Sequence, residues 1–186
     1  RARLADLADT AQRTAALLSA QVTRAATLMR DTLQQGGTLF FCGNGGSAAD
    51  AQHFACDLVG RFLRERRALP ALALTTDSSA VTAIANDYGF DRIFVRQIEA
   101  LGRPGDVAVG ISTSGSSANV LAGLQCAKAR GLKTIEFTGG DGGPVGAAAD
   151  VHVHVSHDVT PRVQEVHRTL MHAVCDLIET QLLRDA

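Results

Sequence analysis

The chain has 186 residues, of which 46% are hydrophobic, enough for one globular domain with a substantial core. Its 18 Lys and Arg residues nearly balance 19 Asp and Glu residues, so charge gives no reason to expect a nucleic-acid or membrane partner. No apolar segment approaches the length of a membrane span and no apolar leader is visible, so we expect a cytoplasmic protein. The separated cysteines predict buried free thiols and no disulfide: Cys42, Cys56, Cys126 and Cys175.

Predicted helices and strands alternate along the chain. Apolar residues at helical spacing predict one long helix or two joined helices over residues 4–33. Further helices are predicted over residues 47–62, 79–84, 90–101, 117–129 and 160–183. Apolar runs predict strands over residues 38–42, 71–74, 106–111, 134–137 and 151–155, with a glycine-rich loop before the last strand.

This alternation favours an α/β fold, because parallel strands need crossover helices. We therefore predict a doubly wound, mostly parallel five-stranded sheet flanked by helices. No linker or internal repeat marks a boundary, so residues 1–186 are predicted to form one domain. Residues 1–36 would form an N-terminal helical arm for oligomer packing, and residues 37–186 the α/β core. Ligands of such sheets bind beyond the carboxyl ends of the strands.

A polar cluster follows the third predicted strand. Residues 112–117 carry five hydroxyl side chains and one glycine. A turn between a strand and a helix presents free N–H groups and the positive end of the helix dipole, so a phosphate monoester would fit here. No lysine or arginine lies in the cluster, so its donors would be uncharged. The alternative is that Ser116 or Ser117 only caps the helix.

A glycine-rich loop follows the first predicted strand. Residues 43–48 match the dinucleotide-binding fingerprint loosely, but the acidic residue expected about 20 positions later is missing. The loop also lacks the lysine of a P-loop. Neither NAD nor ATP is favoured, and the tight turn would instead offer Asn44 and Ser47 to the hydroxyls of a sugar.

Two pairs of polar residues have the spacing of a shared helix face. His53 and Asp57 are four apart, which suits either a shared metal ion or an ordinary helix pair. Gln164 and His172 are eight apart, although Glu165 aligns with His172 even better, so spacing alone leaves both open. Other histidines are interpreted as strand-face or supporting residues: His152, His154, His157 and His167. A basic run is predicted to be solvated or to form interface salt bridges: Arg61, Arg64, Arg66 and Arg67.

Four separated segments carry a family resemblance. They are CGNGGSAADAQHF at residues 42–54, AIANDYGF at 83–90, GISTSG at 110–115 and VQEVH at 163–167. In this order they resemble the sugar isomerase (SIS) domain family. Within it they are similar to the branch that interconverts sedoheptulose 7-phosphate and D-glycero-D-manno-heptose 7-phosphate by moving a proton between C1 and C2.

The resemblance implies an aldose–ketose isomerase of heptose supply for lipopolysaccharide or related glycans. It implies a homotetramer with active sites at subunit interfaces and one zinc ion per subunit. Asp57 and His172 would be the catalytic acid/base groups, although the family usually has glutamate where this chain has Asp57. The implied metal ligands are His53, Asp57, Gln164 and His172. The implied substrate contacts are Asn44, Gly45, Gly46, Ser47, Asn86, Asp87, Ser112, Thr113, Ser114, Ser117 and Gln164.

Two non-catalytic functions compete with this expectation. One branch of the same family lacks part of the catalytic set and is a tetrameric binding protein for the bacterial replication initiator. A sugar-phosphate sensor would keep the hydroxyl cluster and lose the bases. The presence of His172 favours the enzyme, whereas Asp57 in place of glutamate leaves the alternatives open.

Overall fold

Five parallel strands form one sheet, in the order β2-β1-β3-β4-β5. The computed structural model describes residues 1–184. The strands are β1 (Leu39–Gly43), β2 (Ala71–Ala73), β3 (Val107–Ser112), β4 (Lys133–Thr138) and β5 (Val151–His154). The predicted doubly wound, parallel five-stranded sheet is confirmed. Its order reverses between β1 and β3, and a reversal of this kind opens a crevice at the carboxyl ends of the strands.

Helices cover both faces of the sheet. They are α1 (Ala2–Gln34), α2 (Gly46–Val59), α3 (Ser78–Tyr88), α4 (Ile93–Leu101), α5 (Ala118–Ala129), α6 (Gly143–Ala148) and α7 (Thr160–Arg184). Alternate residues of a strand point to opposite faces, so Phe41 packs with α1, α2 and α7 while Phe40 packs with α4 and α5. The result is a three-layer arrangement with a separate apolar core on each side of the sheet.

Several element boundaries differ from the sequence prediction: α3 continues to Tyr88, beyond the predicted end at residue 84, and a 3₁₀ turn over residues 90–92 precedes α4. Helix α2 ends at Val59 instead of residue 62, and the chain then runs as a loop to β2. Part of the predicted glycine-rich loop forms the short helix α6, which begins after Gly142 in a left-handed conformation, φ 87°, and has Pro144 near its start. Glycine permits that φ and proline favours a first helical turn, so both residues assist the start of α6.

Helix α1 is one uninterrupted helix of 33 residues, about 50 Å long. Its second half lies against the core through residues such as Met29, and its first half leaves Leu4 and Leu17 72% and 70% exposed. The division into an arm and a core stays a prediction. Among the helices of residues 1–184, none has the combined length and apolar character of a bilayer-spanning segment.

All four cysteines are free, as predicted. Cys42 and Cys175 are buried, and burial raises the pKa of both thiols, so neither is a nucleophile. Cys56 is exposed and Cys126 is half-buried, so the prediction of burial was wrong for these two. Both lie on the surfaces of helices and not in the sheet. On a helix surface, apolar neighbours in sequence do not ensure that another element packs over the residue.

Candidate active site

Two polar loops meet at the crevice between β1 and β3. The loop from β1 leads into α2, and the loop from β3 leads into α5. The side-chain amides of Asn44 and Asn119 join them: each donates to the other's carbonyl oxygen at 2.8 Å. Asn119 also accepts the main-chain N–H of Val120 at 2.9 Å, and it is buried. These bonds fix the two loops to each other before any ligand binds.

Hydrogen bonds organise the hydroxyl cluster of residues 112–117. Ser112 donates its hydroxyl to Ser117 at 2.9 Å, and Ser116 donates its hydroxyl to Ser114 at 2.9 Å. Ser117 occupies the N-cap position of α5 but makes no capping bond through its side chain. The alternative that this hydroxyl serves only as a cap is therefore wrong. Asn119 occupies the N–H of Val120, so the N–H groups of Ala118 and Asn119 are the ones at the start of α5 that can meet an anion.

The loop from β4 to α6 supports the hydroxyl cluster from behind. Gly115 has a φ of +66°, and a Cβ atom there would lie 2.4 Å from the main-chain oxygen of Gly142. The main-chain N–H of Val145 donates to the oxygen of Gly115 at 3.1 Å. Glycine is therefore required at position 115 both by the backbone conformation and by the close approach of the neighbouring loop.

A second cluster combines α2 with α7. Nε2 of His53 lies 3.2 Å from Nε2 of His172 and 3.4 Å from Oδ2 of Asp57, and the distance from Nε2 of His172 to Oδ2 of Asp57 is 4.0 Å. The ring of Phe62 stacks on the His172 imidazole, with centroids 5.3 Å apart and planes 26° apart. The cluster is half-buried: the side chains of His53, Asp57 and His172 are 41%, 15% and 40% exposed.

These three residues can hold a metal ion together. Their candidate ligand atoms all lie within 4.8 Å of one another. In a tetrahedral zinc site with bonds of about 2.1 Å, two ligand atoms are about 3.4 Å apart, close to the separations seen here. Oδ2 of Asp57 is buried and has no hydrogen-bond partner, so a cation would satisfy an oxygen that the protein leaves unpaired. Imidazole nitrogen and carboxylate oxygen are donors that zinc accepts.

The structure distinguishes Gln164 from Glu165. The side-chain amide of Gln164 lies against Gly46 at the start of α2, where a Cβ atom would approach the amide nitrogen to 2.4 Å. Glu165 is exposed and pairs with Arg162 at 2.6 Å. Gln164 therefore faces the polar loops, whereas Glu165 points away from them. Gln164 and His172 are eight residues apart on α7, which separates them by about 12 Å along the helix axis. The role of Gln164 as a metal ligand therefore stays a prediction.

The other predicted substrate contacts fall in two groups. Those on the β1 loop, Gly45, Gly46 and Ser47, open α2 beside Asn44, and Ser47 is buried. Asn86 and Asp87 lie on the exposed side of α3, where Asn86 donates to Asp87 at 2.8 Å. Within residues 1–184, no hydrogen bond joins either of these side chains to the two polar loops. The substrate roles of all these residues stay predictions.

Comparison with known proteins identifies similar sequences along nearly the whole chain. The SIS domain profile matches residues 4–139. The phosphoheptose isomerase of Geotalea daltonii is 56% identical over 165 residues, which cover 89% of this chain and 86% of the relative. The chain belongs to the phosphoheptose isomerase family of SIS domain proteins.

Solved structures of phosphoheptose isomerases have the same fold. The enzyme from Neisseria gonorrhoeae superposes with a TM-score of 0.91 at 48% identity, and 96% of each chain is covered. The enzyme from Francisella tularensis gives a TM-score of 0.93 at 37% identity, covering 96% of this chain and 95% of the other. The phosphoheptose isomerase fold therefore holds here from the N-terminal helix to the C-terminal one.

Several residues that organise this phosphoheptose isomerase site are missing from the sequence prediction. Asn119 holds the β1 loop, Phe62 stacks on His172, and Arg168 donates to the buried carboxylate of Asp50 at 2.6 and 3.0 Å, which ties α7 to α2. Of these, only Asn119 had a sequence signal, because it lies two residues after the hydroxyl cluster. The other contacts depend on how α7 packs, which spacing does not reveal.

Three of the remaining histidines contact the end of β4 and the residues that follow it. His152 lies 2.6 Å from the Thr138 hydroxyl, and His154 lies 2.8 Å from the main-chain oxygen of Gly140. His167 is fully buried, and burial lowers its pKa to about 4 although its bond to the Thr138 oxygen opposes this. It is therefore neutral at physiological pH. None of these three belongs to the group within residues 1–184 that could hold a metal ion.

Proposed function

We propose that this chain is an aldose–ketose isomerase that converts sedoheptulose 7-phosphate to D-glycero-D-manno-heptose 7-phosphate. The observation that carries the proposal is the His53–Asp57–His172 cluster, in which α7 supplies His172 and α2, the helix that begins in the crevice loop, supplies the other two residues. His53 follows Gly46 by seven residues, about 10.5 Å along α2. An open-chain heptose phosphate can bridge this span with its two ends in different polar environments.

The hydroxyl cluster would bind the phosphate. Ser114 and Ser117 offer hydroxyl donors, Ser112 orients Ser117 by donating to it, and the start of α5 offers main-chain N–H groups and a favourable dipole. Asn44, Ser47 and Gln164 would bind the sugar hydroxyls along the start of α2. Binding the phosphate at one end fixes the distance of the carbonyl carbon from the second cluster, which reduces the entropy cost of the reaction.

Asp57 and His172 would move the proton. Isomerisation requires a base that removes the proton beside the carbonyl and returns it to the neighbouring carbon. With Oδ2 of Asp57 toward the proposed metal position, the other carboxylate oxygen, Oδ1, would accept the proton, and His172 on the opposite helix would exchange one with the sugar oxygens. Phe62 covers one face of the imidazole and fixes its plane. A bound zinc ion, held by His53, Asp57 and His172 with Gln164 as a further candidate, would polarise the substrate oxygens as a Lewis acid.

We further propose that the protein works as a cytoplasmic homotetramer with active sites at subunit interfaces. Exposed apolar side chains support assembly: Leu4, Leu17, Leu63, Tyr88 and Phe90. Burying these side chains between subunits would gain the free energy of removing apolar surface from water. The half-exposed His53 and His172 would be covered further by a neighbouring subunit.

Turnover in D₂O tests the function. Purified protein is given sedoheptulose 7-phosphate with zinc or with a chelator, and the product is analysed for aldose and for deuterium at C2. We expect aldose that carries solvent deuterium, because the transferred proton exchanges on the base. D57N should lower kcat at least a hundredfold and leave sugar-phosphate binding intact. The matched control is D9N, because Asp9 is also an acid in an i,i+4 pair, with Arg13, but lies exposed on α1.

Each alternative gives a different result. Binding of the sugar phosphate without aldose under any metal condition would favour the sensor. No sugar-phosphate binding at all would favour the initiator-binding class. Aldose without deuterium would mean either a hydride shift or a proton transfer faster than exchange with solvent, and undiminished turnover of D57N would then remove Asp57 from the role of base.

A further inference from the structure

A buried carboxylate lies directly behind the metal-binding cluster. Glu179 is on α7, two helical turns after His172, and its side chain is fully buried. Its oxygens accept three consecutive main-chain N–H groups, from Phe62, Leu63 and Arg64, each at 2.9 Å. Burial alone would raise the pKa of Glu179, but these donors together with Arg66 outweigh burial and lower it. The group is therefore an anion that holds one specific loop, residues 60–67.

Arg66 connects the same carboxylate to the end of α2. Its side chain is 3% exposed, and its Nε lies 3.2 Å from Oε1 of Glu179, outside hydrogen-bond geometry. The two terminal nitrogens donate to main-chain oxygens: one to Gly60 at 2.9 Å and to Arg67 at 3.1 Å, the other to Asp57 at 2.7 Å. Arg66 therefore bonds directly to the main chain of Asp57, the acid of the His53–Asp57–His172 cluster. The prediction that Arg66 is solvated or bound to another subunit was wrong.

The loop therefore reaches the cluster from two sides. At its start, the Phe62 ring is stacked on His172. Further along, Arg66 fastens the backbone of Asp57. Glu179 holds both contacts at once because it binds the main chain of Phe62 and the charge of Arg66. Two further ion pairs join Arg64 of the loop to α7: one with Asp176 at the surface and one with Glu179 itself at 4.0 Å.

We propose that Glu179 is a positioning residue, which through Arg66 and Phe62 sets the separation of Asp57 and His172. The expected effect on kcat rests on the proposed function, whereas the expected effect on the Asp57–His172 separation does not. Such a role explains why a charged pair is kept in a core where burial of ions is costly. Partners behind a metal ligand set its orientation, and their loss typically weakens metal binding or activity by 10- to 100-fold.

The test compares E179Q with D176N. Asp176 and Glu179 both join α7 to the 60–67 loop, but the Asp176 pair is exposed and touches neither Phe62 nor Asp57. We expect E179Q to raise the zinc Kd about 10- to 100-fold, measured by competition with a chelating dye, and to lower kcat by a similar factor with KM changed less than threefold. D176N should change each quantity less than twofold. F62L removes only the ring that stacks on His172, and it should also raise the zinc Kd. It replaces E179Q in the comparison if E179Q does not fold.

Crystal structures of the wild-type protein and E179Q complete the test, because they need neither zinc nor turnover. We expect the Phe62 ring to leave His172 and the Asp57–His172 separation to increase. A variant with a lower Tm, but with wild-type zinc Kd and an unchanged cluster, would overturn the proposal and leave Glu179 a purely structural residue. Wild-type protein that binds zinc but does not isomerise would refute the proposed function alone, since the Kd ratio and the crystal structures would still decide the role of Glu179.

Discussion

Asn44 and Asn119 exchange two side-chain hydrogen bonds of 2.8 Å across the crevice between β1 and β3. One residue follows β1 and the other lies in the first turn of α5, so the pair joins the two loops to which we assign sugar and phosphate. Such a reciprocal pair fully uses one donor and one acceptor of each amide. It leaves the second N–H of each amide for a ligand.

The first prediction concerns this pair. N119A should lower the free energy of unfolding by roughly 1 to 3 kcal/mol, because it leaves Asn44 without its partner. It should raise KM for the sugar phosphate about tenfold and change kcat less, since the reacting groups lie elsewhere. Urea unfolding and steady-state kinetics measure both effects. The control is Q52A, because the Gln52 bond to Thr75 is exposed and 3.2 Å long. Equal KM values in the two variants would contradict the assignment.

The second prediction concerns the metal. H53N should raise the zinc Kd at least a hundredfold, because the remaining two residues of the cluster cannot form a tetrahedral site alone. H157N is the control, since His157 lies 3.4 Å from Asp6 of α1 and outside the cluster. Dialysis against a chelator should abolish turnover, and added zinc should restore it. Zinc affinity that is equal in both histidine variants would place the ion elsewhere.

Contacts between neighbours in sequence are what the sequence predicts best. Continuous apolar runs such as Phe40-Phe41 identify strands that are covered on both faces, and the i,i+4 spacing of His53 and Asp57 identifies half of the cluster. His172 could be joined to that pair only through the family resemblance. Its position depends on the packing of α7 against α2, which periodicity does not determine.

Misjudged positions show the same limit. Phe62 continues the apolar pattern of α2, and the sequence therefore predicts a helix to residue 62. The helix ends at Val59 instead, and the chain forms a loop in which the main-chain N–H of Phe62 donates to Glu179. Arg66 lies in a basic run and is nevertheless 3% exposed, because its partner is far along the chain. A local pattern does not reveal that a buried acid over a hundred residues away will pair with it.

The third prediction concerns Gly115 of the hydroxyl cluster, where the loop from β4 to α6 packs closely against it. G115A and G36A both place a side chain at positive φ, +66° and +83°, which costs about 1 to 2 kcal/mol. Only the Cβ at position 115 meets a neighbour, since nothing lies within 4 Å of the one at position 36. G115A should therefore be the less stable variant, and it alone should raise KM, about tenfold or more. Thermal unfolding and kinetics of the pair make the comparison. A G36A variant with the same KM increase would show that the effect comes from general destabilisation.

The fourth prediction concerns Glu136, a buried acid in the centre of β4. Both of its carboxyl oxygens are without hydrogen-bond partners, and one fills the space that Gly110 leaves by lacking a side chain. Burial raises its pKa well above the ordinary value of 4.5, so the folded protein holds a proton that the unfolded chain releases. The stability contribution is complete below about pH 4.5 and is lost as the pH rises toward the folded-state pKa.

E136Q should remove this pH dependence. Between pH 5 and pH 8, the unfolding free energy of the wild type should fall relative to that of E136Q, measured by urea unfolding at each pH. E136M, which has a similar volume and no polar oxygens, should be more stable than the wild type at pH 8 by roughly 1 to 3 kcal/mol, because two unsatisfied buried oxygens are removed. E65Q is the control, since Glu65 is exposed and its replacement should leave the pH profile parallel to that of the wild type. A parallel profile for E136Q as well would mean that the carboxyl group reaches water or a partner in solution.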